Sequence, residues 1–209
     1  MGEDVKKATR GLQTPRARLS YSQIFEAKSF TQPGQAPREA KFSCTLIFDA
    51  AAQKTAEFAA LKRAASLAAE EKFGAKIKDA DFARALRSPF HKSDTHPTAK
   101  GKPGHDPGTV FIRVTAKEAP AVVDTKLRPI TDRSQVYSGC YVFASVNAFG
   151  YENSGNRGVS FGFNGIQKVQ DGEPLGTSRR PEDMFKPIEG ADDGAAGDAS
   201  APAESLFGE

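Results

Sequence analysis

Hydrophobic and polar positions alternate along residues 41–48, where Phe42, Cys44, Leu46 and Phe48 fall on one side and Lys41, Ser43, Thr45 and Ile47 on the other. A period of two is the mark of a β-strand with one face turned to a core. Leu19 to Phe30 predicts a strand ahead of it, and the turn-forming residues Gln32-Pro33-Gly34-Gln35 separate the two. The period then changes. Ala50 to Phe73 is rich in Ala, Lys and Glu, holds no Gly or Pro, follows Asp49 as a capping residue and stops at Gly74, which predicts one long helix. Phe58, Leu61, Ala65, Ala68 and Ala69 form its apolar stripe, as a helix laid on a sheet requires.

Val110 to Thr115 and Ala121 to Val123 read as short strands, and the longest alternation follows at Tyr137 to Tyr151. Cys140, Val142, Ala144, Val146 and Ala148 make one small apolar face. Opposite them stand Tyr137, Tyr141, Phe143, Phe149 and Tyr151 with Gly139, Ser145 and Asn147 between. The cluster Asn153-Ser154-Gly155-Asn156-Arg157-Gly158 predicts a hairpin loop, and Val159 to Val169 returns with Phe161 and Phe163 in alternation. The expectation is a mainly β domain with one prominent helix and a long antiparallel hairpin near its end.

Two segments lack periodicity. Residues 1–18 carry Lys6, Lys7, Arg10, Arg16 and Arg18 and read as a disordered basic arm, so folded structure is expected from Leu19. Residues 87–109 hold four prolines, three glycines and all three histidines, and read as a long, flexible, basic loop that meets DNA or a partner. The spacings of His91, His96 and His105 do not fit a zinc site. Cys44 and Cys140 sit in strand-like apolar segments without disulfide or zinc spacing and are expected as buried thiols.

Charge divides the chain. Residues 182–209 contain eight acids and one base, −7, so an overall +3 leaves +10 on residues 1–181. A basic body joined to an acidic tail suits a body that meets a polyanion and a tail that meets something basic or folds back. No apolar run approaches the roughly 18 residues of a membrane span, and a cytoplasmic protein without membrane partners is expected. Phosphate-cradling, dinucleotide and nucleophile-elbow patterns are missing, so the sequence predicts no catalytic residues, metal or cofactor.

Aromatic rings in a row beside cations are what a single nucleic-acid strand needs: bases stack on the rings and phosphates meet Lys and Arg. Tyr141, Phe143, Phe149 and Tyr151 are the candidate platforms, with Lys126, Arg128, Arg133, Arg157 and Lys168 as candidate phosphate contacts. In a small closed barrel some large residues face inward, and periodicity alone does not divide these aromatics between platform and core; Phe161 and Phe163 are the fallback platforms.

From Val122 the sequence runs VVDTKLRPITDRSQVYSGCY, then SVNAFGYENSGNRGVSFGFNGIQKVQDGEPLG, with residues 137–141 and 165–174 the most specific parts. These strings resemble a family of bacteriophage single-stranded DNA-binding proteins, and the likeness extends over most of residues 19–180. It implies an OB-fold, a five-stranded barrel with extra strands and a helix, that coats single-stranded DNA in phage replication or recombination. Residues 19–180 would be that domain and 181–209 a disordered acidic tail, whose Asp192, Asp193, Asp198, Glu204, Leu206 and Phe207 would bind replication or recombination proteins and compete with DNA. The basic arm and the 87–109 loop depart from the family's commoner pattern. RNA binding by the same fold and a non-catalytic phage assembly or scaffold role remain as alternatives, and self-association is left open.

Overall fold

The alternation at residues 41–48 is realised as a strand, and the residues around it pair into one mainly antiparallel sheet that buries the long helix. The computed structural model describes residues 2–29, 39–153 and 155–176. The chain divides into units 1–176 and 177–209, and the second unit, with the predicted acidic tail, lies outside the described residues. Among the described residues the α-helices and strands follow in the order α1 (Gly2–Thr9), β1 (Leu12–Gln13), β2 (Ala17–Lys28), β3 (Lys41–Phe48), α2 (Ala56–Phe73), α3 (Ala80–Ala85), β4 (His91–Lys92), β5 (Val110–Ala116), β6 (Ala121–Val123), β7 (Tyr141–Asn153) and β8 (Asn156–Gln170).

Each of the strands β2, β3, β5, β8 and β7 has two hydrogen-bonded neighbours among the other four. β2 pairs with β3, β3 with β5, β8 with β7 and β7 with β2, all antiparallel, while β5 and β8 are parallel. β6 extends the sheet beside β8, and β1 lies against β7. The β7–β8 hairpin is the backbone of the assembly: its register runs from Tyr141 opposite Gln170 to Asn153 opposite Asn156, with two bulges. The loop expected over 153–158 is thus much tighter, and the strands continue almost to the turn.

The small face of β7 is buried, with Cys140, Val142 and Val146 fully so. Its small side chains face large ones on β8, Ala148 opposite Phe161 and Val146 opposite Phe163, so volume is shared across the ladder. Phe161 and Phe163 are therefore core rather than fallback platforms. The two thiols are buried and free. Burial raises the pKa of both above the ordinary thiol range.

Asp49 caps a turn rather than the helix: its Oδ1 accepts from the Ala52 N–H at 2.7 Å. Thr55 Oγ1 then accepts from the Phe58 N–H at 3.3 Å and starts α2 six residues later than the sequence suggests. The helix ends where expected, at Gly74, whose φ of 54° suits a residue without Cβ. Phe58, Leu61, Ala64, Ala65 and Ala68 are buried against the sheet. Gly150 permits this close approach, since a Cβ there would lie 2.9 Å from the Ala68 carbonyl oxygen and inside the Lys72 side chain.

Two expectations are corrected. The N-terminal basic segment is not a disordered arm in the described residues: α1 packs on α2, β1 pairs with β7, and Thr9 and Thr14 are buried. Its anchors are polar and therefore show no hydrophobic period; the Gly11 N–H donates to Asn147 Oδ1 at 2.7 Å and Thr14 Oγ1 accepts from the Ala144 N–H at 3.0 Å. Residues 87–109 are likewise a packed insertion instead of a flexible loop. They close over Ile47 and Phe111, register partners on the outer side of β3 and β5, and bury Ser93, Ala99 and His105. His91, His96 and His105 each stack near Phe111, with ring centroids 4.9–5.2 Å away. Burial, followed by neighbouring cationic groups, lowers all three imidazole pKa values. Among the described residues, no helix is long and apolar enough to cross a membrane.

Candidate nucleic-acid interface

Because Val142, Ala144, Val146 and Ala148 point into the core, strand geometry sends Tyr141, Phe143, Ser145, Asn147, Phe149 and Tyr151 to the opposite, outer side. All six are at least partly accessible, and Phe149 is 43% exposed. At about 3.4 Å per residue the row from Tyr141 to Tyr151 extends roughly 34 Å. Across the ladder stand small or polar residues: Gln167 opposite Phe143, Gly165 opposite Ser145, Gly162 opposite Asn147 and Ser160 opposite Phe149. The rings of Phe143 and Phe149 therefore rise above a low surface.

Three regions follow one another along this row. At Tyr141 the Arg16 guanidinium lies 4.8 Å from the ring centroid, and Arg18 shares the register position beside it. A small cleft of about 90 Å³ here is also lined by Asp49 and Asp106, so its charge is balanced. Next, Phe143, Gln13, Val123, Asn164 and Gln167 border an open groove of about 450 Å³ whose walls are carboxamides and apolar groups. Asn147 and Asn164 bond each other through both amide groups, at 2.7 and 3.1 Å, which fixes the groove floor. Beyond them, Phe149 and Tyr151 face a groove of about 460 Å³ with Arg87 and Arg113. Arg113 donates to Thr98 Oγ1 at 2.8 Å, and neither arginine has an ion pair among the described residues.

The predicted cations distribute differently from the predicted rings. Lys168 shares the register position of Val142, on the other side of the ladder from Phe143 and Gln167. Its side chain is only 17% exposed and its ammonium lies 2.7 Å from Asp171. Arg157 is likewise opposite Glu152 rather than Tyr151, and stacks 4.4 Å above Phe82 of α3. Arg133 pairs with Glu26 toward the far end of β2. These three are not brought to the aromatic row: alternation along β8 turns Lys168 and Arg157 to the other face, and Arg133 stands on a short helical turn between β6 and β7.

Lys126 and Arg128 occupy the turn after β6, which is joined to the row through the Gln167 amide donating to the Asp124 carbonyl at 3.2 Å. Asp124 organises that turn: Oδ1 accepts from the Lys126 and Arg128 N–H groups at 2.8 and 2.9 Å, and Oδ2 from Arg128 Nε at 2.7 Å. The backbone bond from Arg128 leads the interactions that lower the Asp124 carboxyl pKa. Arg128 is partly neutralised as a result, whereas Lys126 is exposed and without an ion pair among the described residues. Leu127 between them is 71% exposed at a φ of 61°.

Arg16, Arg18, Arg87 and Arg113, which do adjoin the row, are not among the phosphate contacts that the sequence suggests, although Arg87 opens the 87–109 segment expected to meet DNA or a partner. For Arg113 a signal existed, since it stands between buried Ile112 and Val114 and must point outward. The other three adjoin the row through pairings distant in sequence. The tail residues Asp192, Asp193, Asp198, Glu204, Leu206 and Phe207 lie outside the described residues.

Comparison with known proteins gives a consistent pattern. The family model described as Enterobacter phage Enc34, ssDNA-binding protein, matches residues 11–196. The fold is similar to that of the single-stranded DNA-binding protein from bacteriophage Enc34, solved in complex with ssDNA, at a TM-score of 0.60 and 18% identity, covering 78% of this chain and 88% of that one. It is also similar to gp2.5, a single-stranded DNA-binding protein encoded by bacteriophage T7, at 0.54 and 13%, covering 89% and 97%. Protein p50 of Acyrthosiphon pisum secondary endosymbiont phage 1 is 39% identical over 67 residues, 32% of this chain and 36% of that protein's length.

Proposed function

The chain belongs to the family of the Enterobacter phage Enc34 ssDNA-binding protein, and from that premise we propose that it binds single-stranded DNA, with little regard to sequence, across the outer face of β7 and its neighbours. It acts without catalysis, in the host cytoplasm, coating strands during phage replication or recombination. The observation that carries this reading is the outward row Tyr141, Phe143, Phe149 and Tyr151 with Arg16, Arg18, Arg87 and Arg113 beside it. Every base has a face to stack, so such a row accepts any sequence, while the cations hold the backbone. The circuit of pairings through β2, β3, β5, β8 and β7 supports an OB-fold barrel as the scaffold, with α1 and β1 added to it. Of the cations proposed from the sequence, Lys126 and Arg128 retain a role as phosphate contacts; Arg133, Arg157 and Lys168 give theirs up to the four arginines.

Electrophoretic shifts with single-stranded DNA, duplex DNA and RNA of one length test the proposal. Preference for the DNA single strand is expected, with log affinity falling against log salt by about 0.7 per phosphate contact. Equal affinity for duplex would reject it. Equal affinity for RNA would show that the site makes no use of the 2′-hydroxyl, and no binding to any of the three would leave the row as a protein interface.

The acidic C-terminal residues complete the proposal. Tethered to a body of opposite charge, they compete with DNA intramolecularly and, once displaced, recruit replication or recombination proteins. Deleting residues 189–209 is expected to raise single-stranded DNA affinity, most at low salt because screening weakens a charged competitor. Titrations of both chains at low and moderate salt check this; unchanged affinity at low salt would reject the competition.

A further inference from the structure

On the other flank of Phe149, facing away from Arg87 and Arg113, lies a groove of about 480 Å³. Lys6 and Arg10 come to it from α1 and its exit, Lys72 from the last turn of α2, and Asn147 from β7. All three cationic side chains are exposed, and none has an ion pair among the described residues. Glu71 is the one acid in the lining. The placement is fixed rather than incidental. Thr9 is buried with its hydroxyl donating to the Val5 carbonyl at 2.9 Å, the Gly11 N–H is held by Asn147, and β1 pairs with Val146 and Ser145. The segment that sequence alone leaves as an arm is thereby docked along the edge of β7, with its cations one side chain away from the most exposed ring of the row.

We propose that this groove is a second phosphate-binding track, in which α1 and the end of α2 hold the backbone of a single strand whose base stacks on Phe149. The inference rests on the single-stranded DNA reading above and adds a binding element to it. A ring flanked by cations on both sides lets the strand cross the sheet at Phe149, with one phosphate toward Arg87 and Arg113 and the following ones toward Lys6, Arg10 and Lys72, one to each cation. The N-terminal segment then belongs to the interface, and the occupied length of strand exceeds what the row itself accommodates.

The test compares the full chain with the variant Lys6→Gln/Arg10→Gln/Lys72→Gln in titrations of a dT oligonucleotide over a range of salt. Three lost contacts should make the slope of log affinity against log salt shallower by about 2, with an unchanged melting temperature because the side chains are exposed. The charge-preserving variant Lys6→Arg/Arg10→Lys/Lys72→Arg should keep the slope. An unaltered slope in the Gln variant, while the parent chain binds with strong salt dependence, overturns the second track and leaves the row intact. Failure of the parent chain to bind dT rejects the function itself. Should the triple variant melt early, Lys72→Gln alone decides, since it leaves α1 untouched: a slope shallower by about 0.7 supports the track and an unchanged slope rejects it.

Discussion

Replacing Phe161 with alanine is expected to cost about 3–5 kcal/mol of folding stability, the usual result of emptying a large ring from a packed core. Phe161 is fully buried and stands across the ladder from Ala148, whose methyl group cannot occupy the vacated space. It also ends a chain of edge-to-face rings, Phe48 to Phe58 at 5.3 Å, Phe58 to Phe90 at 5.6 Å and Phe90 to Phe161 at 5.7 Å. That chain ties β3, α2 and the 87–109 insertion to β8, so the loss is shared by elements distant in sequence. For a folded unit of this size each kcal/mol moves the melting temperature by about 2–4 °C, and a fall of at least about 6 °C should be seen. A melting temperature within 2 °C of the parent would show that Phe161 does not hold the core.

The opposite signature is expected from Phe149→Ala/Tyr151→Ala. Both rings face outward, and their truncation should leave the melting temperature nearly unchanged. If each carries one base, at about 1–3 kcal/mol per base, single-stranded DNA affinity should fall at least about 30-fold. The salt slope should stay close to that of the parent, because rings contribute no counterion release. Loss of affinity accompanied by early melting would return these rings to the core; normal affinity would move the platform toward Tyr141 and Phe143.

The sequence carries only part of the distinction between these two variants. The two-faced alternation of β7, the hairpin with β8 and the C-terminal stop of α2 follow from period and caps, which are local properties, whereas the assignment of Phe161 to the core and of Phe149 and Tyr151 to the surface comes from burial in the folded chain. What the alternation does not contain is which partner strand lies beside each residue. Arg16, Arg18 and Arg87 reach the row through pairing with β7, packing beside it or a bridge to Gly158, contacts that span most of the chain. Lys168 and Arg157 look well placed in sequence because they flank the aromatics, yet the bulge at Ser145/Val146 sets Lys168 opposite Val142 and the turn that pairs Asn153 with Asn156 sets Arg157 opposite Glu152, which turns both to the other side. The N-terminal helix and the 87–109 insertion were illegible for a further reason. The helix is held mainly by polar anchors, Thr9 and Thr14 among them, and the insertion by scattered side chains on distant elements, Phe90 against Phe58 and Phe161 and the three imidazoles against Phe111, which leave no hydrophobic period to read.

Tyrosine fluorescence during titration with dT tests the central claim most directly. The chain has no tryptophan and four tyrosines. Tyr141 and Tyr151 lie on the row, while the Tyr137 hydroxyl is engaged with Asp171 and Gly172. Stacking of bases on the row predicts a saturable quench that salt reverses. In Tyr141→Phe/Tyr151→Phe the quench should largely vanish while affinity, followed independently by anisotropy of a labelled strand, is retained, because phenylalanine still stacks. Binding by anisotropy with no quench in the parent chain, or a quench that survives undiminished in the double variant, would place the strand elsewhere and contradict the account.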